Sequence, residues 1–296
     1  MSKVTIRSGK GQHHKGCIIY DNIDVQYGCC ATGVQKDGSI DRNNFCSYCY
    51  ASYLFQNNYG IKAPITSETF VKEIERREKE KTKESNTPKK ITNIRLGKSY
   101  EIWDPQNPKE SKETLISVLK ACNENKLPFI LITKLMPFDM DISNQVLKLN
   151  STIHYSLGKN SLETGAVRLG MPEERRVEEA EKYFSQGCNI YLRVAYDVVE
   201  KPPKNIKDLR NKTKIPLLIT PLRYHGKKLF EDEHPDLTWE EAKIGNYAWD
   251  RGGLRPQKIH PEWRPKTTAF CGVVADKLGC NSCGLFNGKM RWVKEK

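Results

Sequence analysis

Phe129-Ile130-Leu131-Ile132-Thr133-Lys134, then Ile142 to Leu149, then Thr152-Ile153-His154-Tyr155-Ser156-Leu157, is the stretch that decides the fold. A short apolar run ending in Thr-Lys reads as a buried strand, the middle segment as a helix, and the last as a further strand. Two strands joined through a helix need a crossover, and crossovers build parallel sheets. The same alternation extends both ways. Upstream lie a strand around Cys17 to Val25, a strand at Ile91 to Leu96, and a helix at Glu113 to Asn123 with Leu115, Val118, Leu119 and Cys122 on one face. Downstream, Pro172 starts a helix that Gly187 stops, and strands at Tyr191 to Val199 and Pro216 to Thr220 flank a short helix, Asn205 to Asn211. The expectation is an α/β protein with six parallel strands; spacing alone leaves a closed barrel, a partial barrel and an open sheet, and with fewer units than a closed eight-stranded barrel uses the expected form is a partial (β/α)6-like barrel.

Ser67 opens another helix, which buries Phe70, Val71 and Ile74. Its continuation from Glu75 to Lys90 is almost wholly polar and reads as a solvated end and charged linker. From Tyr224 the alternation stops. The expected division is a core over 1–223 and a Trp-, Pro- and Gly-rich C-terminal extension over 224–296.

The chain has 296 residues, with 49 Lys and Arg against 36 Asp and Glu, a net charge of +13. No apolar run approaches the roughly 20 residues of a membrane-spanning helix, so no membrane partner is expected. The polar, basic segment from Met1 to Gly16 lacks the apolar core of an export signal, which predicts a cytoplasmic protein. In that compartment ten cysteines point to metal or cluster ligation rather than disulfides.

The thiols are clustered. Asn44-Phe45-Cys46-Ser47-Tyr48-Cys49-Tyr50-Ala51 places two of them three positions apart, and Tyr27-Gly28-Cys29-Cys30 lies upstream across a Gly-containing loop. A structural zinc site is one reading, with Cys29 or Cys30 and His13, His14 or Cys17 completing four ligands. Cys122 and Cys188 sit in apolar contexts and read as core residues.

Cys46, Tyr48 and Cys49, preceded by Gly28-Cys29 or by Cys30, resemble the radical S-adenosylmethionine (SAM) superfamily. The nearest likeness is to phage and bacterial members with a longer interval before the Cys-x-x-Cys-Tyr-Ala ending, and more remotely to the photoproduct-lyase branch. Further strand ends carry the resemblance: Arg95-Leu96-Gly97-Lys98-Ser99-Tyr100-Glu101, then Leu131-Ile132-Thr133-Lys134, then Tyr155-Ser156-Leu157-Gly158 with Glu163, and Glu174-Arg175-Arg176 followed by Arg193.

The resemblance implies a [4Fe-4S] cluster on three thiolates, drawn from Cys29, Cys30, Cys46 and Cys49, with one iron open to the methionine part of SAM. It implies reductive cleavage to a 5′-deoxyadenosyl radical, fed by an electron donor such as flavodoxin or ferredoxin. It also implies that Tyr48, Gly97, Lys98, Ser99, Glu101, Thr133, Lys134, Ser156, Glu163 and Arg193 surround the cofactor.

Cys271, Cys280 and Cys283 form a second group, able to hold zinc or a second iron–sulfur cluster. Basic and aromatic residues interleave in Arg223-Tyr224-His225-Gly226-Lys227-Lys228, Trp249 to Arg255 and Trp263-Arg264-Pro265-Lys266. With the net charge, they suggest a nucleic acid or nucleotide-derived substrate, as in DNA repair or base modification. Two alternatives stand beside this reading: a zinc-dependent nucleic-acid-binding protein without catalysis, and a peptide-modifying member of the superfamily with an auxiliary cluster.

Overall fold

The computed structural model describes residues 21–23, 66–88, 90–97, 101–105, 107–160, 163–196, 204–221, 227–244, 247–250, 253–256 and 268–270. The principal sheet contains β1 (Asp21–Ile23), β2 (Ile94–Leu96), β3 (Phe129–Thr133), β4 (Thr152–Leu157), β5 (Asn189–Tyr196), β6 (Leu217–Pro221) and, from the tail, β9 (Thr268–Phe270). Their spatial order is their chain order, β1-β2-β3-β4-β5-β6-β9, and every neighbouring pair is parallel. When each crossover advances in the same direction and is right-handed, the connecting helices fall on one face of the sheet. That is the arrangement of a partial barrel, in contrast to a doubly wound sheet whose order reverses.

The helices are α1 (Ser67–Ser85), α2 (Pro108–Glu124), α3 (Met140–Lys148), α4 (Thr164–Arg168), α5 (Glu173–Ser185), α6 (Lys204–Lys212), α7 (Lys227–Glu233) and α8 (Trp239–Ile244). A two-stranded antiparallel ribbon pairs β7 (Tyr247–Asp250) with β8 (Gly253–Pro256). No helix among the described residues is long and apolar enough to cross a membrane.

Alternation along the strands gives the sheet two unlike faces. One carries Leu96, Leu131, Ile153, Tyr155, Leu192, Val194 and Leu217, all buried in a single cluster with Leu115, Val118 and Leu119 of α2, Val146 of α3, Tyr183 of α5 and Leu209 of α6. The other carries Arg95, Ile130, Ile132, Thr152, His154, Ser156, Asn189, Tyr191, Arg193 and Leu218, as the strand register requires. Ile130, Tyr191 and Leu218 are buried too, yet they lie outside the helix-side cluster.

Three expectations change. The polar stretch after Glu75 is helical to Ser85, so the linker is confined to the residues between Ser85 and Ile94. Pairs one turn apart, Glu68 with Lys72 at 2.5 Å and Arg76 with Glu80, support a helix that has little apolar period. Thr66 and Thr69 form its capping box, and Asn86 ends it at φ +52°. The linker also folds back: Glu78 accepts from the Lys90 ammonium at 2.8 Å and from the Ile91 amide at 2.9 Å.

Helix α2 begins at Pro108, five residues before the expected Glu113. Proline tolerates the first helical position, where its missing N–H leaves no gap in the hydrogen bonding. The sheet has seven strands rather than six, because the C-terminal extension returns as β9 and pairs Phe270 with Ile219. Three residues are too few to show a period in sequence.

Candidate functional site

The site is built where the strands end. Beyond β2 the chain turns at Gly97, buried and at φ +77°, a conformation that a side chain would strain. It then delivers Glu101, whose side chain is buried at the end of β3. Thr133 Oγ1 accepts the amides of Leu135 (3.2 Å) and Met136 (3.0 Å). Its single proton is thereby left for Glu101 Oε1, 2.5 Å away.

Glu101 also accepts the Ile102 amide on Oε1 at 3.1 Å and the Lys134 amide on Oε2 at 2.7 Å. Burial pushes its pKa up, while Thr133 and Lys134 pull against that shift. A carboxylate offers about four acceptor positions. The three bonds described fill one position on Oε2 and leave the other for a donor.

A second carboxylate completes the network. Glu163, 1% exposed, accepts the Lys134 ammonium on Oε1 at 2.7 Å and the Gly158 amide on Oε2 at 2.9 Å. Its Oε2 also pairs with the fully buried Arg176 guanidinium, which donates onward to the Ser156 carbonyl at 3.0 Å. The approach at Gly158 is close: a Cβ there would lie 2.9 Å from Glu163 Cδ. Tyr155 donates from β4 to the Met136 carbonyl, fixing the loop that follows Lys134.

Glu101, Thr133, Lys134 and Glu163 are therefore brought together, with Gly97 on the neighbouring strand end. Ser156 and Arg193 are register partners on the sheet face away from the helices, and Lys134 acts electrostatically on His154 of that face together with Arg193 and Arg95. Lys98, Ser99 and Tyr48 lie outside the described residues, as do Cys29, Cys30, Cys46, Cys49, Cys271, Cys280 and Cys283. Among the described residues no group of three or more His, Cys, Asp or Glu is arranged to hold a metal ion.

Cys122 and Cys188 are free thiols in the core. Burial pushes Cys122 up to about 12 and raises Cys188, so neither supplies a thiolate at neutral pH.

The sequence reading did not select Arg176, Gly158 or His154 as site residues. Arg176 shares the buried side of α5 with Ala180 and Tyr183, at offsets of four and seven. An arginine inside an apolar period is a cue to a buried ion pair. His154, 5% exposed, faces away from the helices, packs against Tyr191 with ring centroids 4.9 Å apart and the planes tilted by 38°, and lies with Nε2 3.2 Å from Ser156 Oγ. Burial, then Arg193, Arg95 and Lys134, hold its pKa well below the ordinary 6.5, so the ring is neutral.

No protein-family model matches the chain, and no curated protein matches it. Among solved structures, spore photoproduct lyase complexed with dinucleoside spore photoproduct matches at 15% identity and a TM-score of 0.46, over 74% of this chain and 66% of that one. Streptococcus suis SuiB bound to S-adenosylmethionine matches at 15% identity and a TM-score of 0.36, over 55% of this chain and 35% of that one. The matched part thus spans about a third of SuiB and about two thirds of the lyase.

Proposed function

We propose that the protein is a radical SAM enzyme acting on a nucleic acid or nucleotide-derived substrate. The observation that carries this reading is Glu101: a buried carboxylate at the strand ends, held by three donors and keeping one acceptor position for a cationic group. The α-amino group of a bound amino acid has that chemistry. The donor set fits the methionine part of SAM, with Thr133 and the Lys134 amide orienting the carboxylate that receives it.

Chain connectivity supports the same placement. The chain leaves β1 at Ile23, paired with Leu96 and so at the strand edge that carries Gly97; Cys29 follows Ile23 by six positions. The thiolates of Cys46 and Cys49, with Cys29 or Cys30, are the ligands proposed for the cluster, and Tyr48 the residue proposed beside adenine. When bound, cluster and SAM supply a one-electron cleavage that yields a carbon radical able to take hydrogen from an unactivated position.

The protein's own part is to hold and orient. Glu163 and Arg176 fix Lys134, whose ammonium then stays at the strand ends as a fixed positive charge. Gly97 turns the chain after β2 toward Glu101, and Lys98 and Ser99 are proposed to contact the cofactor beside it. Cys271, Cys280 and Cys283 follow β9 and are proposed to hold zinc or a second cluster.

Anaerobic purification after reconstitution with iron and sulfide tests the reading. The expected product is a brown protein with about four irons per cluster that, given a reductant, converts SAM to methionine and 5′-deoxyadenosine. Cys46→Ala and Cys49→Ala each lose both properties. A colourless protein with stoichiometric zinc and no cofactor cleavage overturns the reading in favour of a structural zinc site.

A further inference from the structure

Glu101 sits in a segment, residues 101–105, that belongs to no strand or helix. Thr133 and the Lys134 amide grip its carboxylate from the end of β3, but bonds to a carboxylate leave the main chain that carries it unfixed. The residues that follow supply the anchor. Ile102 and Trp103 are buried in the helix-side core, and Asp104, also buried, is tied to the start of α2.

The tie is polar. The Asp104 amide donates to Ser111 Oγ at 2.9 Å, and Ser111 is 0% exposed. The Asp104 carbonyl accepts the Asn107 amide at 3.1 Å, and its Oδ2 accepts Asn107 Nδ2 at 2.7 Å.

Both partners depart from what their residue types ordinarily do in a helix. Asn107 is the N-cap of α2, where an asparagine side chain normally accepts a helix amide; here it makes no such bond and serves Asp104 instead. Ser111 puts a hydroxyl on the buried side of α2, in line with Thr114, Leu115 and Val118, where alanine would suit the helix better. A local preference overridden twice for one neighbour marks a constraint set from outside the helix. Three residue steps span at most about 11 Å, so fixing Asp104 confines the main chain of Glu101 on one side, as the turn at Gly97 does on the other.

We infer that Ser111 is a positioning residue for the cofactor: by holding the Asp104 amide it sets the main chain of Glu101, so that the acceptor position left on Oε2 meets the α-amino group of SAM. This rests on the enzyme reading above and adds to it a residue of α2 that acts through Asp104.

Ser111→Ala tests it, because the buried Asp104 N–H loses its acceptor while the helix gains a better former. Asn123→Ala is the comparison. It deletes two bonds from the same helix to Gln145, 3.0 Å each, about 18 Å along the axis from Ser111. Circular dichroism verifies that both variants fold. The first measurement is hydrogen exchange at the Lys134 amide, which donates to Glu101 and needs no cofactor to be observed. Exchange about tenfold faster in Ser111→Ala than in Asn123→Ala is expected; equal rates overturn the inference.

The second is calorimetric SAM titration of the reconstituted protein, run as a double-mutant cycle with Glu101→Gln. Ser111→Ala alone is expected to weaken binding about tenfold. Added to Glu101→Gln it should cost less than about twofold, because the group it positions has already lost its charge. Equal losses in the two backgrounds, or none in the wild-type background, leave Ser111 a purely structural residue and overturn the inference. Wild-type protein that takes up no cluster and binds no SAM overturns the enzyme reading and the cofactor role of Ser111 with it, while the exchange rates still decide whether Ser111 holds Glu101.

Discussion

The strand ends and the sheet face away from the helices use polar groups in different ways. At the strand ends, Glu101, Thr133, Lys134, Glu163 and Arg176 are closed on one another, each charge held in place by a named partner. On the sheet face away from the helices, Arg95 and Ser156 are half-buried, His154 is buried and Arg193 is exposed. A closed network fixes geometry and is costly to break. Stability effects should therefore concentrate on the strand-end network.

The largest effect is expected from Glu163→Ala, which strands the buried Arg176 guanidinium. A loss of about 3–5 kcal/mol is expected in urea unfolding. Glu163→Leu with Arg176→Met should recover most of it, since a packed apolar pair replaces the ion pair. Stability unchanged in Glu163→Ala would mean that the network is not closed in solution.

Next comes Glu101→Gln. The amide retains the shape but loses the charge that draws a cationic amino group, so SAM affinity measured calorimetrically should fall about 10- to 100-fold. Equal affinity in this variant removes Glu101 from the cofactor site.

His154 gives a smaller effect tied to pH. Its folded pKa is depressed, so below 6.5 the unfolded chain takes up a proton that the folded chain does not. The stabilising contribution is complete above 6.5 and is lost as pH falls, at about 1.4 kcal/mol per pH unit until the folded value is reached. Comparing wild type with His154→Asn across that range should show this component of the slope vanish in the variant. Parallel curves would contradict a neutral, buried ring. The smallest change in stability belongs to Arg193→Gln, an exposed position, within about 0.5 kcal/mol of wild type by thermal melting.

Much of the fold was legible because the central strands are apolar runs between helices of clear period: Phe129 to Thr133, Thr152 to Leu157, and the Leu115, Val118, Leu119 face all lie where the sequence put them. What escaped lacked that contrast. Helix α1 continues on charge pairs, α2 starts in a polar first turn, and β9 is Thr-Ala-Phe. For the candidate site, the structure brings the motif residues Glu101, Thr133, Lys134 and Glu163 together, but the division of the sheet into two faces was not drawn from the motifs.

That division is nonetheless written in Thr152-Ile153-His154-Tyr155-Ser156-Leu157 and Asn189-Ile190-Tyr191-Leu192-Arg193-Val194. Residues with polar groups alternate there with Ile, Leu, Val and Tyr at period two, marking a sheet with one helix-packed face and one polar face. Arg176 was harder to foresee, since its charge is satisfied by Glu163 across a turn and a helix start, a partnership that spacing alone does not reveal.

The seventh strand has a consequence for biosynthesis. During vectorial translation, β6 emerges with one rim unpaired and must wait for residues 268–270, after the ribbon and two short helices, before that rim is covered. A nascent chain paused in this interval carries an open template for illicit strand addition, so premature termination between Pro221 and Thr268 should yield insoluble product.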